Sequence, residues 1–211
     1  YLVEVAARLI HDPVVREAFR QQQRTAQTER QTPVVFYARD FEQEKQRLCQ
    51  VIRERQLMND RIAILFPLNR QVFGFARGLA EAGIEAEVPK QRGSSTPLPT
   101  HDFNNSRPKL MAFHSAKGLT FDSVLIPRLV STSFPRVSMD RLERLLFVAL
   151  TRAAKWAYLS TTEDDPLPLL ENLLPLQITR QLTVQRDIRL EGFKAAPPAF
   201  PPPTDANLDF L

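Results

Sequence analysis

Apolar residues change their spacing repeatedly along the chain, and each change marks a new element. Residues 2–10 carry apolar positions at helical spacing, whereas residues 20–31 are almost uniformly polar and read as a solvated connection. After Pro33 the run VVFYA, residues 34–38, is strand-like. Residues 40–55 follow as an amphipathic helix with Asp40 as its N-cap. A strand at 62–66, a helix at 69–82, Gly83 as its C-terminal signal and a short strand at 85–88 come next. Strand and helix in alternation predict the α/β class, with a mostly parallel sheet flanked by helices.

Gly, Ser, Pro and Asn crowd residues 89–108, which read as a loop. Beyond them the pattern predicts strands at 109–113 and 123–127, a helix near 139–153 and a strand at 156–161. After Pro166 it weakens to a short helix around 167–174 and an extended piece around 178–190. The division expected is a domain over 1–165, an extension over 166–192 packed on or beside it, and a disordered tail over 193–211. That tail is proline-rich and cannot continue a helix or a central strand. Its end, DANLDFL, mixes acids with apolar residues, so it is either an unstructured terminus or a short peptide that docks on a partner protein.

Composition narrows the class without deciding it. The chain has 211 residues, enough for one domain with a terminal extension. No run approaches the length of a membrane-spanning helix, and the N-terminus lacks a signal-peptide layout. The chain opens on Tyr1 rather than Met, which suggests part of something larger. Its one cysteine, Cys49, excludes an internal disulfide and multi-cysteine zinc patterns, so no metal site is expected and a reducing cytoplasm fits. The net charge of +4, from 28 basic against 24 acidic residues, leans only weakly toward a polyanionic partner.

Two blocks carry candidate chemistry. The first, FHSAKGLTFDSVLIP at residues 113–127, joins two strand-like runs through a polar loop holding His114, Ser115, Lys117 and Gly118. A glycine with small neighbours lets backbone amides approach a phosphate, while serine and histidine add hydrogen bonds and lysine adds charge. His114 could equally be a structural histidine holding the loop. The second block, ERLLFVALTRAAKWAYLS at residues 143–160, is a helix ending in Thr151 and Arg152 and leading into a strand. An arginine there can aim a rigid charged fork at a phosphate, and it can equally pair with the last helix carbonyls. Because open α/β sheets bind ligands at the carboxyl ends of their strands, both loops are expected at that edge.

Together the blocks resemble motifs V and VI of superfamily 1 helicases, the UvrD, Rep and PcrA group. There motif V reads approximately THSAKGLEFD and motif VI approximately RRLxYVAxTRA; here they stand as AFHSAKGLTFD and ERLLFVALTRA. Upstream, RIAILFPLNRQ resembles motif IVa, TPVVFYARDFEQE the strand and helix before it, and YLVEVAARLI the helix after motif IV. The resemblance implies a RecA-like, P-loop NTPase-type fold over residues 1 to 162, the second motor domain of a DNA helicase using ATP and Mg²⁺.

Residue by residue, the resemblance makes Arg152 the catalytic arginine that reaches the γ-phosphate of ATP. Gly118 and Thr120 would stand on the nucleotide side, and Arg144, beside Glu143, would link nucleotide state to the DNA loop. His114, Ser115 and Lys117, with Asn69 and Gln71 of motif IVa, would line the single-strand groove. Three positions depart from the pattern: Thr120 replaces a glutamate, Ala112 a threonine and Pro67 a basic residue. The chain has no GxxxxGK[ST] loop, so a separate N-terminal RecA-like domain would bind most of the ATP and Mg²⁺, and this fragment alone is expected to be inactive. The short 89–108 loop implies no 2B insertion, and the AKGL wording implies 3′-to-5′ movement. The alternative is an inactive RecA-like module that binds nucleic acid or acts as a scaffold; an RNA strand in place of DNA also stays open.

Overall fold

A computed structural model describes residues 1–22, 31–88 and 105–186; the proline-rich tail and most of the 89–108 loop lie outside the described residues. Two helices, α1 (Leu2–Ala7) and α2 (Pro13–Gln22), precede strand β1 (Val34–Ala38). Helix α3 (Phe41–Leu57), strand β2 (Ile62–Phe66) and helix α4 (Asn69–Glu81) follow. Strand β3 (Lys109–Ala112) leads through a 3-10 turn, Phe113–Ala116, into β4 (Phe121–Ile126). Helix α5 (Met139–Leu150), β5 (Ala153–Thr162), a second 3-10 segment (Pro168–Leu173), α6 (Pro175–Ile178) and β6 (Thr183–Arg186) complete the order.

The six strands form one sheet in the order β3-β2-β4-β5-β1-β6, and each pairing is parallel. Parallel sheets are covered on both faces, so their strands read as continuous apolar runs rather than alternating ones. Period-two geometry still sorts each run between two cores. In β1, Val35 and Tyr37 face the core shared with α1 and α5, whereas Val34, Phe36 and Ala38 face the core under α3 and α4. Leu167, Leu170, Leu173 and Leu182 join the first of these cores, so residues 167–182 pack into the same layer as α1 and α5.

The expected strands at 34–38 and 62–66 and the Asp40 cap are found; the Asp40 carboxylate accepts the Gln43 N–H at 2.8 Å. Three expectations need correction. Residues 85–88 form a single bridge, Glu87 to Lys109, because β3 stands at the sheet edge and its ladder reaches no further. The first helix stops at Ala7, and a second helix that the sequence reading did not anticipate, α2, ends inside the stretch read as a polar connection, sharing residues 20–22 with it. Its N-terminus is held by Asp12, whose carboxylate accepts the Val14 and Val15 N–H groups at 2.8 and 3.2 Å. Strand β3 ends one residue early because Phe113 already belongs to the 3-10 turn.

Candidate functional site

The segment 113–120 is a crossover lying against the sheet, and its course sets the geometry of the site. In the register of β2, Ala112 lies level with Phe66 and Ser123 with Ile62. Four residues of strand separate them, a drop of about 13 Å at ~3.3 Å per residue. The chain therefore leaves β3 at the carboxyl edge and re-enters β4 at the amino edge. Because β5 begins at Ala153, Arg152 also stands at the amino edge. The expectation that both loops share the carboxyl edge is corrected: only His114 and Ser115 follow a strand end there.

A three-residue spacing explains which side chains this segment offers. Phe113 and Ala116 are buried and Leu119 is packed against the core, as the period of a 3-10 turn demands. His114, Ser115, Lys117, Gly118 and Thr120 are exposed between them. Lys117 (φ −59°, ψ 127°) and Gly118 (φ +82°) form a type II turn, closed by the Leu119 N–H donating to the Ala116 carbonyl at 3.1 Å. A Cβ on Gly118 would meet nothing within 4 Å, so positive φ alone calls for glycine.

Arg152 is partly buried and its fork is engaged locally. Nε donates to the Val148 carbonyl at 3.1 Å, one terminal nitrogen to the Leu119 carbonyl at 3.3 Å and the other to the Thr151 hydroxyl at 3.2 Å. The Phe121 N–H donates to the Arg152 carbonyl at 2.9 Å. Arg152 thus touches the 113–120 crossover through both its backbone and its side chain. The partners are neutral oxygens, which a charged phosphate can displace.

The other candidate residues are spread more widely. Asn69 opens α4 at the carboxyl edge and is exposed. Gln71, two residues on, is occupied inside the protein: its oxygen accepts the Leu68 N–H at 3.2 Å and its amide donates to the Ser133 hydroxyl at 3.0 Å. Arg144 is exposed on α5, about 12 Å along the helix from Arg152 at ~1.5 Å per residue. It lines a groove against α1 and α2 instead of joining Thr120 and Arg152.

Sequence reasoning passed over an ionic clasp at the amino edge. The Asp122 carboxylate accepts the Arg61 N–H at 2.9 Å and Arg61 Nε at 3.1 Å, and meets Lys155 Nζ at 3.2 Å. Asp60 pairs with the same lysine at 3.5 Å and accepts the Ser123 hydroxyl at 2.6 Å. Burial raises the affinity of Asp122 for a proton, but the bonds from Arg61 and Lys155 outweigh it and hold the carboxyl below its ordinary range. The signal available was the FD pair at the end of the first block, though its cationic partners are far away in sequence. Among the described residues, no group of three or more His, Cys, Asp or Glu side chains could hold a metal ion.

Comparison with known proteins bears on the family and the fold. Residues 98–164 match the family model of the UvrD-like helicase C-terminal domain. A probable DNA helicase from Mycoplasma pneumoniae is 27% identical over 139 residues, a match covering 60% of this chain and 23% of that protein. The chain therefore spans less than a quarter of that relative's length. The fold is shared with the C-terminal domain of a possible DNA helicase from Lactobacillus plantarum WCFS1, with a TM-score of 0.60 and 15% identity over 87% of this chain and 94% of that one.

Proposed function

From the match of residues 98–164 to the UvrD-like helicase C-terminal domain, we propose that this chain is the second motor half of an ATP-dependent DNA helicase that moves 3′ to 5′ along single-stranded DNA in the cytoplasm. The observation that carries this reading is the 113–120 crossover, which touches both edges of the sheet and is tied to Arg152 through the Leu119 carbonyl. At the carboxyl edge, His114 and Ser115, with Asn69, meet the strand backbone, and Lys117, midway along the crossover, adds its charge. Contacts of this kind are nearly independent of sequence and weaken with salt.

At the amino edge, Arg152 exchanges its carbonyl partners for the γ-phosphate of ATP and stabilises the charge that builds there during phosphoryl transfer. Gly118 and Thr120 flank that position. The residues fit a phosphate, since one permanently charged fork is held only by neutral oxygens. Acids of the first motor domain would hold Mg²⁺ and complete the nucleotide site. Without that domain this chain presents Arg152 but does not turn over ATP.

Replacing Arg152 by alanine in the full-length protein tests the reading. DNA-stimulated ATP hydrolysis should fall by about 10³-fold or more, the range for an arginine acting on the transferred phosphate, while single-stranded DNA binding stays within about twofold. Undiminished hydrolysis sinks the proposal.

A further inference from the structure

Between α5 and the α1–α2 pair lies an open groove of about 600 Å³ that the nucleotide and strand sites do not use. Its floor is apolar: Leu9 is buried there, and Phe19 meets Phe147 edge-on with ring centroids 5.1 Å apart. On the wall formed by α2, Val15 is 53% exposed. The rim carries Asp12, Asp140 and Glu143 against the single permanent cation Arg144, so its charge is negative.

The three acids are not alike. Asp12 caps α2, and Asp140 stands in the first turn of α5, where the helix dipole favours an anion. Glu143 is only 9% exposed, lines the groove, and has no hydrogen bond or ion pair with any described residue. Its carboxylate oxygens reach the solvent of the open groove, where an incoming cation can meet them. An apolar floor beside that carboxylate matches the side chain of an arginine or lysine, whose stem is apolar and whose head is charged.

We propose that this groove docks a segment of a partner protein, one that presents a cationic side chain between apolar ones and sets the cation on Glu143. The proposal stands on the groove alone and is independent of the helicase reading. It leaves Arg144 flanking the occupant and free of Glu143.

The test uses two capped peptides, acetyl-Leu-Ala-Arg-Ala-Leu-amide and the same peptide with citrulline, the neutral isostere of arginine, in place of the arginine. Each is titrated into the chain while amide resonances are followed by NMR. The expected result is that the arginine peptide shifts Leu9, Val15, Phe19 and Phe147 and binds about tenfold more tightly than its citrulline counterpart, equivalent to roughly 1.4 kcal/mol. Glu143→Gln should abolish that preference while leaving citrulline-peptide binding in place. Equal binding of the two peptides overturns the proposal in favour of a purely apolar occupant, and this comparison needs no variant. A preference that survives Glu143→Gln, or shifts confined to other residues, overturns it as well. Concentration-dependent self-association that shifts the same residues without peptide identifies a second copy of this chain as the occupant and also overturns it.

Discussion

Asp122 shows how much one side chain of a motif can do without touching a ligand. It stands where the crossover enters β4, and its carboxylate gathers Arg61 from the start of β2 and Lys155 from the start of β5. These two contacts fix the amino edge beside Arg152. Because the native carboxyl is held below its ordinary range, the clasp stabilises the fold fully above the unfolded value of about 3.9 and is lost as pH falls through the lowered native value. Arg61 and Lys155 are 61% and 47% exposed, so solvent screens the pairs and Asp122→Asn should cost only about 1 kcal/mol at neutral pH. Urea unfolding of both proteins between pH 7 and pH 3 should show the gap closing toward acid; a constant gap would mean that Asp122 acts through shape alone. The letters FD were visible in the sequence, but Arg61 and Lys155 are distant along the chain and only the parallel register brings them together. The AKGL stretch was legible as a polar loop, and its type II corner, with glycine after lysine, emerged only from the backbone geometry.

At the level of elements, what could be read depended on whether the deciding interaction was local. Strands β1 and β2 are apolar throughout because helices cover both faces, and such runs stand out from polar flanks. Helix α2 was missed because its last turn, residues 20–22, runs without a break into the polar stretch read as a connection. Its signals were Asp12 followed by Pro13, with Val15 and Phe19 one turn apart. The seating of α3 could not be read at all. Glu44, fully buried in its first turn, accepts the Arg128 N–H at 2.8 Å and the Ser160 hydroxyl at 2.7 Å, and pairs with the Arg128 guanidinium at 3.2 Å. These bonds join α3 to the carboxyl edge of β4 and β5, and Arg128 adopts a positive φ of 62° within the arrangement. Glu44→Ala takes a fully buried carboxylate away from the Ser160 hydroxyl, the Arg128 N–H and a guanidinium that is 22% exposed, so it should destabilise by about 3 kcal/mol. Denaturant melts measure this directly, and a loss near that of an exposed ion pair would show that water already solvates the site.

Over the whole molecule, the sheet separates two edges and the 113–120 crossover reconnects them. Candidate residues close together in sequence are thereby divided: His114 and Ser115 go to the carboxyl edge, Thr120 to the amino edge beside Arg152. The motif letters singled out these candidates, but their division needed the strand order, because β3 and β4 are separated by β2. Lys117 lies midway, exposed at the corner of the type II turn. Nothing among the described residues pairs with it, so its charge is available to a strand backbone. If it neutralises one phosphate, Lys117→Ala in the full-length protein should weaken single-stranded DNA binding equally for unrelated sequences. It should also flatten the plot of log affinity against log salt by about 0.7, the contribution of one contact on a single strand. Measurements from low to physiological salt separate this from a fold defect, which would lower affinity without changing the slope. An unchanged slope would place Lys117 off the strand.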